Sequence, residues 1–422
     1  MKRVLIISPY FPPSNAADMQ RVRMSLPYFK EFGWEAEVVT VAPEYSDMVK
    51  DELLLQSLPS SIKIHTVKAF PQKLTSKFGL GSLALRSLWF YKMKVSQLLK
   101  QGKFDLVYFS TTQFPVSILG RYWKKKLGVP YVIDMQDPWH SDYYKDKPKS
   151  QQPKKYWFSY RLNKYLEPIA MKAVDGLISV SEQYITDLQN RYPNLKNILA
   201  ATITFGAFEP DNDIALNNAH RFPALLDKQT KNMVYIGRGG ADMHKAIKPV
   251  FKALAWFVKN NPEVKLKLYF IGTCYAASGS GTATIMPLAV EHGVENYVVE
   301  ITDRISYYHT LITLQQADAL FMPGSDDPKY TASKIYPYLF TGKPLLTIFN
   351  SQSPAMKVFE LCKAEYAYSY DNTPLLEEKI LAFVGLLVNN ALERPDYDKN
   401  ALQQYTALQM TEKQCKLFDK VI

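Results

Sequence analysis

The sequence is poor in cysteine, in long apolar runs and in short repeats. Its three cysteines, Cys274, Cys362 and Cys415, are odd in number, far apart and outside any Cys-x-x-Cys spacing. That excludes a disulfide framework and a thiolate zinc site and fits a reducing, cytoplasmic setting. The longest apolar stretches, such as Ile380 to Val388, fall well short of the roughly 20 residues needed to span a bilayer, so no transmembrane segment is expected. The opening MKRVLIISPYFPP has a charged start and a short apolar run. Ser8, Pro9, Pro12 and Pro13 end that run too early for a signal peptide, and it reads as a first strand. No low-complexity tract interrupts the chain.

What is present suits a folded protein of two domains. A length of 422 residues exceeds what one hydrophobic core usually organises, and a composition of 47% hydrophobic and 22% charged residues argues against disorder. The net charge of +11 is uneven: residues 1 to 172 hold 27 Lys and Arg against 14 Asp and Glu, leaving 24 against 26 for the rest. Lys124, Lys125 and Lys126, then Lys145, Lys147, Lys149, Lys154, Lys155, Arg161 and Lys164, are interleaved with Trp123, Tyr143, Tyr144, Tyr156, Trp157 and Phe158. Basic plus aromatic suits an anionic membrane surface. A solvated helix face explains it as well, and nucleic acid ranks below both, because no nucleic-acid motif accompanies the charge.

Short β-branched runs alternate with helical patterns at Val4 to Ser8, Ala36 to Val41, Ile62 to Val67, Asp105 to Ser110, Tyr131 to Met135 and Gly176 to Ser181. The rhythm restarts at Met233 to Gly237, Lys267 to Gly272, Tyr297 to Ile301, Ala319 to Pro323 and Leu345 to Phe349. Alternation of this kind predicts parallel α/β sheets, two in sequence, with the boundary between about residues 205 and 230. The first domain spans 1–205, completed by a C-terminal helix near 400–422, and the second spans 206–399. Parallel sheets bind ligands at the carboxyl ends of their strands, so site residues are expected just after strands.

Two segments meet that expectation. Tyr235-Ile236-Gly237-Arg238-Gly239-Gly240, followed by His244 and Lys245, is a strand-to-helix turn whose glycines admit an anion to the backbone. Arg238 suits a bidentate grip on a diphosphate and Lys245 supplies a point charge at the helix start. A plain tight turn with solvated cations is the alternative. The second runs from Pro323-Gly324-Ser325-Asp326-Asp327-Pro328 through Tyr330-Thr331-Ala332-Ser333-Lys334-Ile335-Tyr336 to Thr341-Gly342-Lys343-Pro344. Thr331 or Ser333 is expected to cap a helix with Lys334 in its first turn, where a cation is disfavoured unless an anion binds nearby.

With Ile6 to Pro13 and Arg21 at the start, these segments resemble GT-B glycosyltransferases of family 4 and its relatives, over nearly the whole chain. The resemblance implies two Rossmann-like domains with parallel sheets facing a central cleft. It maps donor diphosphate binding onto Gly237, Arg238, Gly239 and Lys245, and a segment lying over the donor onto Ser333, Lys334, Tyr336, Tyr338, Leu339, Gly342, Lys343 and Pro344. The family's glutamate pair is replaced by Lys329 and Pro337, which implies either that Asp326 or Asp327 contacts the hydroxyls or that the donor is held differently. Arg304 and Ile305, leaving another strand, correspond to the region that meets the nucleotide base.

In the first half, Asp134-Met135-Gln136-Asp137-Pro138-Trp139-His140 resembles the Asp-x-Arg-Asp-Pro-Trp segment of such transferases, with Gln136 replacing arginine. The resemblance turns Asp137 toward the reaction and lets Trp139 stack on an acceptor ring. A turn cap and a core tryptophan are the structural alternatives, and His140 reads as structural. The Tyr10 to Arg21 loop has Asn15-Ala16-Ala17-Asp18 where many relatives have two glycines, and Arg21 is a candidate acceptor contact beside Arg23. The implied function is a retaining, hexosyltransferase-like enzyme moving a sugar from a nucleotide-sugar donor to a glycan or lipid-linked acceptor in surface polysaccharide synthesis. It would work in the cytoplasm or peripherally at the inner membrane face, with Asp137, Arg238 and Lys245 as the catalytic groups. No cofactor or metal is expected, since cationic side chains and a helix end can hold the diphosphate. The rival readings are a non-catalytic GT-B-shaped binding protein, motivated by Lys329 and Pro337, and a nucleotide-sugar epimerase.

Overall fold

The structure is a computed structural model, and it describes residues 1–142, 145, 149, 152, 156–276, 279–328, 330 and 334–422. The chain divides into two compact units, Met1–Gly206 with Tyr405–Ile422, and Ala207–Gln404.

The first unit is built on seven strands: β1 Lys2–Ile7, β2 Trp34–Val41, β3 Lys63–Val67, β4 Leu106–Ser110, β5 Tyr131–Met135, β6 Gly176–Ser179 and β7 Leu199–Thr202. They form one sheet in the order β3-β2-β1-β4-β5-β6-β7, with every neighbouring pair parallel. Strands covered by helices on both faces need continuous apolar runs rather than alternation, and Val4 to Ile7 and Leu106 to Phe109 are accordingly buried throughout.

The C-terminal helix Ala407–Val421 belongs to this unit. Thr406 Oγ1 caps it by accepting from Gln409 N, and its Phe418 is wedged edge-on between Trp34 at 5.5 Å and Tyr108 at 5.0 Å. Burying three rings of this size contributes several kcal/mol.

The second unit holds β8 Lys231–Ile236, β9 Leu266–Ile271, β10 Val298–Ile301, β11 Ala319–Pro323, β12 Leu345–Phe349 and β13 Ala367–Ser369. Their order is β10-β9-β8-β11-β12-β13, again all parallel. In each sheet the chain starts at a central strand, builds outward, then crosses back to the other side. The crevice left at that reversal lies between the carboxyl ends of β1 and β4 in one unit and of β8 and β11 in the other.

The edge strands β7 and β13 have no counterpart in the sequence reading. Leu-Ala-Ala-Thr and Ala-Tyr-Ser are too short and too little buried to carry a strand pattern, and pairing with a preformed neighbour makes them strands.

A cation cluster at the end of β8 and a buried network at the end of β4

The carboxyl end of β8 runs straight into Gly237, Arg238, Gly239 and Gly240, and three cationic side chains gather there. Lys334 stands at the N-cap position of the short helix Ile335–Phe340. Its ammonium reaches back to donate to Ile236 O at 3.1 Å and lies 5.5 Å from the Tyr235 ring centroid. A Cβ on Gly237 would overlap the Lys334 Nζ and the Tyr235 hydroxyl, and one on Gly239 would overlap Thr284 Oγ1, so the absence of a side chain at both positions permits this close approach. Burial first, then the positive charges of Arg304 and Arg238, lower the Lys334 pKa to about 8.

Arg238 donates from both terminal nitrogens to Asp242, at 2.9 and 2.7 Å, and its guanidinium stands 5.3 Å from the Tyr330 ring. Asp242 also accepts from Ser325 Oγ at 2.8 Å, and its backbone carbonyl takes Asp326 N at 2.8 Å. This stitches the β8 turn to the β11 turn. Burial works against the Asp242 charge, but the Arg238 and Ser325 hydrogen bonds prevail and hold its pKa below the ordinary range. The Tyr338 hydroxyl completes the frame by accepting from Ile236 N at 2.7 Å. Arg304, beyond β10, is exposed and stacks on Tyr275 at 4.9 Å.

The corresponding crevice of the first unit is filled by a buried polar network. Arg21 is fully buried, pairs through Nε with Asp134 Oδ2 at 2.7 Å, and donates to Ile203 O at 2.7 Å and Thr204 O at 3.3 Å. Asp134 Oδ2 also receives Ser110 Oγ at 2.9 Å and Gln136 Nε2 at 3.0 Å. Asp18 accepts from Thr111 Oγ1, Thr112 N and Thr112 Oγ1 at 2.8 to 3.1 Å. These bonds fasten the loop after β1 onto the end of β4. Burial keeps the Asp18 pKa raised despite these donors.

Beyond β5, Asp137 is exposed. Partial desolvation and the neighbouring Asp18 raise its pKa. It lines a cavity of about 490 Å³ together with Thr112, Phe114, Trp139, Phe158 and Leu162. Trp139 is buried, stacked on Phe114 at 5.5 Å, with its indole donating to Asn163 Oδ1 at 3.2 Å. His140 is buried beside Tyr160, with neither ring nitrogen hydrogen-bonded among the described residues.

No curated protein sequence matches the chain. Residues 26–198 match the family model described as Glycosyltransferase Family 4. The chain has the GT-B fold, and over those residues it is similar to that family. Among solved structures it is similar to HepE of Anabaena in complex with UDP, at 16% identity and a TM-score of 0.55, with 100% of each chain covered. It is also similar to TarM of S. aureus in complex with fondaparinux, alpha-GlcNAc-glycerol and UDP, at 12% identity and a TM-score of 0.59, covering 99% of this chain and 100% of that one. A third is the lipopolysaccharide outer core galactosyltransferase WaaB, at 13% identity and a TM-score of 0.52, with 100% of each chain covered.

The second unit brings Gly237, Arg238, Gly239 and Lys334 together. Arg304 and the half-buried Ile305 stand at the end of β10, while Asp327 is exposed after β11. Lys245 is exposed on the first turn of the helix His244–Asn260. Ser333, Thr331 and Lys329 lie outside the described residues.

Four expectations need correction. Arg21 is no acceptor contact at the surface: with Arg23 it is wholly buried, spent on Asp134 and on backbone carbonyls. Trp139 takes its core alternative, because Phe114 and Asn163 already use its face and its N–H. Tyr336 is buried in the helix core rather than laid over a donor. Lys334 is not in the first turn of its helix but at the cap position, where a carbonyl receives its ammonium.

Asp242, Ser325 and Tyr338 frame the cluster, and Tyr330 flanks it; of these the sequence reading singled out only Tyr338, for another role. Asp242, four residues after Arg238, was the detectable signal.

Proposed function

We propose that the chain moves a sugar from a nucleotide-sugar donor to a glycan or lipid-linked acceptor in surface polysaccharide synthesis, retaining the anomeric configuration, as a hexosyltransferase working at the inner face of the cytoplasmic membrane. The observation that carries the donor assignment is the set of three cations, Lys334, Arg238 and Arg304, around the carboxyl end of β8, opposed by the Asp242 carboxylate. A diphosphate suits that imbalance. It can take over the Arg238 fork that Asp242 now occupies, and it supplies the anion that Lys334, buried beside two like charges, lacks.

As the bond from the anomeric carbon to the diphosphate oxygen breaks, negative charge grows on the leaving nucleotide. Arg238, Lys334 and Lys245 stabilise that charge without a divalent ion or other cofactor. Arg304 and Ile305 border the base, and Asp327 with Ser333 serves the ribose or the sugar. Asp137 orients the acceptor hydroxyl and takes its proton, a role that suits a carboxylate of raised pKa. The partners are thus a nucleotide sugar, a glycan or lipid-linked acceptor and an anionic membrane surface, with no nucleic acid.

The HepE and TarM structures contain UDP, which makes UDP the first nucleotide to test, beside GDP, ADP and CMP. Calorimetric titration should give selective binding, weakened about ten- to a hundredfold by Arg238→Ala, since a charged hydrogen-bonding pair is worth about 1.5 to 3 kcal/mol. Undiminished affinity in that variant would remove the assignment. Tight nucleotide binding with no transfer to any acceptor would favour the non-catalytic reading instead.

A further inference from the structure

The helices leading out of the crossovers β3 to β4, β4 to β5 and β5 to β6 are Leu83–Gln101, Ile118–Leu127 and Tyr156–Met171. They pack side by side on one face of the first sheet. Trp123 of the second donates to Ser96 Oγ of the first at 3.1 Å, and Lys92 sits 4.6 Å from the Tyr122 ring.

This layer is almost free of acid. From Leu53 to Ile133 the sequence has thirteen lysines and arginines and one acidic residue, Asp105. The three helices hold a single carboxylate, Glu167, which is buried and paired with Arg191. Their outer surface presents Lys92, Lys100, Lys125, Lys126, Arg161 and Lys164. Between these cations stand large apolar side chains: Trp89 is 57% exposed, Met93 56%, Trp157 64% and Tyr165 70%. Trp157, Arg161, Lys164 and Tyr165 share one helical stripe, as do Trp89, Lys92 and Met93.

A merely solvated face mixes both signs of charge and has no need of exposed tryptophans. Tryptophan rings at headgroup depth with flexible cations around them are the chemistry of a bilayer interface. The cavity containing Asp137 opens between the starts of the first and third helices, walled by Leu85, Phe114, Trp139, Phe158 and Leu162. Among the described residues that line it Asp137 alone is charged, and the cations of the layer stand outside it; an apolar wall at the edge of that layer fits the hydrocarbon part of an amphiphile.

We propose that this three-helix layer docks on an anionic lipid bilayer and that the acceptor is a lipid-linked molecule drawn from it into the Asp137 cavity. The acceptor half rests on the transferase reading, while the docking half stands without it.

The test is sedimentation of the full chain with vesicles of phosphatidylcholine alone or with phosphatidylglycerol, in parallel with UDP titration. Binding should require the anionic lipid and fall with added salt. Arg161→Gln and Lys164→Gln should each weaken it about fivefold. The double variant Trp89→Ser, Trp157→Ser should lower it further while UDP affinity stays at the wild-type value. Equal recovery with both vesicle types, or anionic binding that ignores Arg161, Lys164 and both tryptophans, would overturn the docking. Preference for duplex DNA over anionic vesicles would overturn it in favour of a polyanion site. UDP binding without vesicle binding removes the docking alone, whereas vesicle binding without nucleotide binding removes the transferase reading and its lipid-linked acceptor.

Discussion

Raising the pH from 7 to 9 should weaken binding of a nucleoside diphosphate about tenfold, and Lys334 is the cause. Its ammonium is buried and donates to one backbone carbonyl, and its neighbours Arg304 and Arg238 carry the same charge, so its pKa falls to about 8. An ordinary lysine titrates near about 10.4. A diphosphate beside it favours the ammonium and returns the pKa toward that value, so binding takes up a proton. Between those two values uptake reaches about nine-tenths of a proton near pH 9, against about one-tenth at pH 7, and integrating it yields the tenfold loss.

The stability of the free protein follows from the same proton. Between pH 8 and about 10.4 the unfolded chain binds more protons at this site than the folded one, so stability rises with pH across that window; below pH 8 the site costs about 3 kcal/mol. Titration calorimetry with UDP in two buffers of different ionisation enthalpy, at constant ionic strength, measures affinity and uptake together. Lys334→Met should bind weakly with a flat profile from pH 7 to 9. Affinity that does not change with pH in the wild type, or a slope that survives in Lys334→Met, would refute the reasoning.

Two further outcomes follow from the geometry. Gly237→Ala puts a methyl group into the space of the Lys334 ammonium and of the buried Tyr235 hydroxyl and ring; the lysine can swing aside but the ring must shift as well, so UDP affinity should drop about tenfold with some loss of thermal stability, and unchanged affinity would show that Lys334 does not meet the ligand. Arg21→Met leaves the Asp134 carboxylate buried without its cation and should cost about 3 to 5 kcal/mol in chemical denaturation, with partial recovery when Asp134→Leu is added; a loss under about 1 kcal/mol would contradict the burial of that pair.

Much of the fold was legible because a strand covered on both faces writes itself as a continuous apolar run. Val4 to Ile7, Leu106 to Phe109 and Ala319 to Met322 are such runs, and each became a buried strand. The edge strands Leu199–Thr202 and Ala367–Ser369 were not legible, because a partner strand rather than their own composition specifies them.

The candidate site divides the same way. The sequence by itself determined that glycines and a guanidinium follow β8, because a turn that must bring backbone close to an anion needs those residue types. Only the tertiary structure decided which charges remain available. Lys334 meets the carbonyl of Ile236 across a separation of 98 residues, whereas Arg21, which reads along the chain as a surface cation, is consumed by Asp134 in the interior. A side chain's charge is written in the sequence, but whether that charge is hydrated, partnered or left waiting for a ligand depends on neighbours that folding alone brings near.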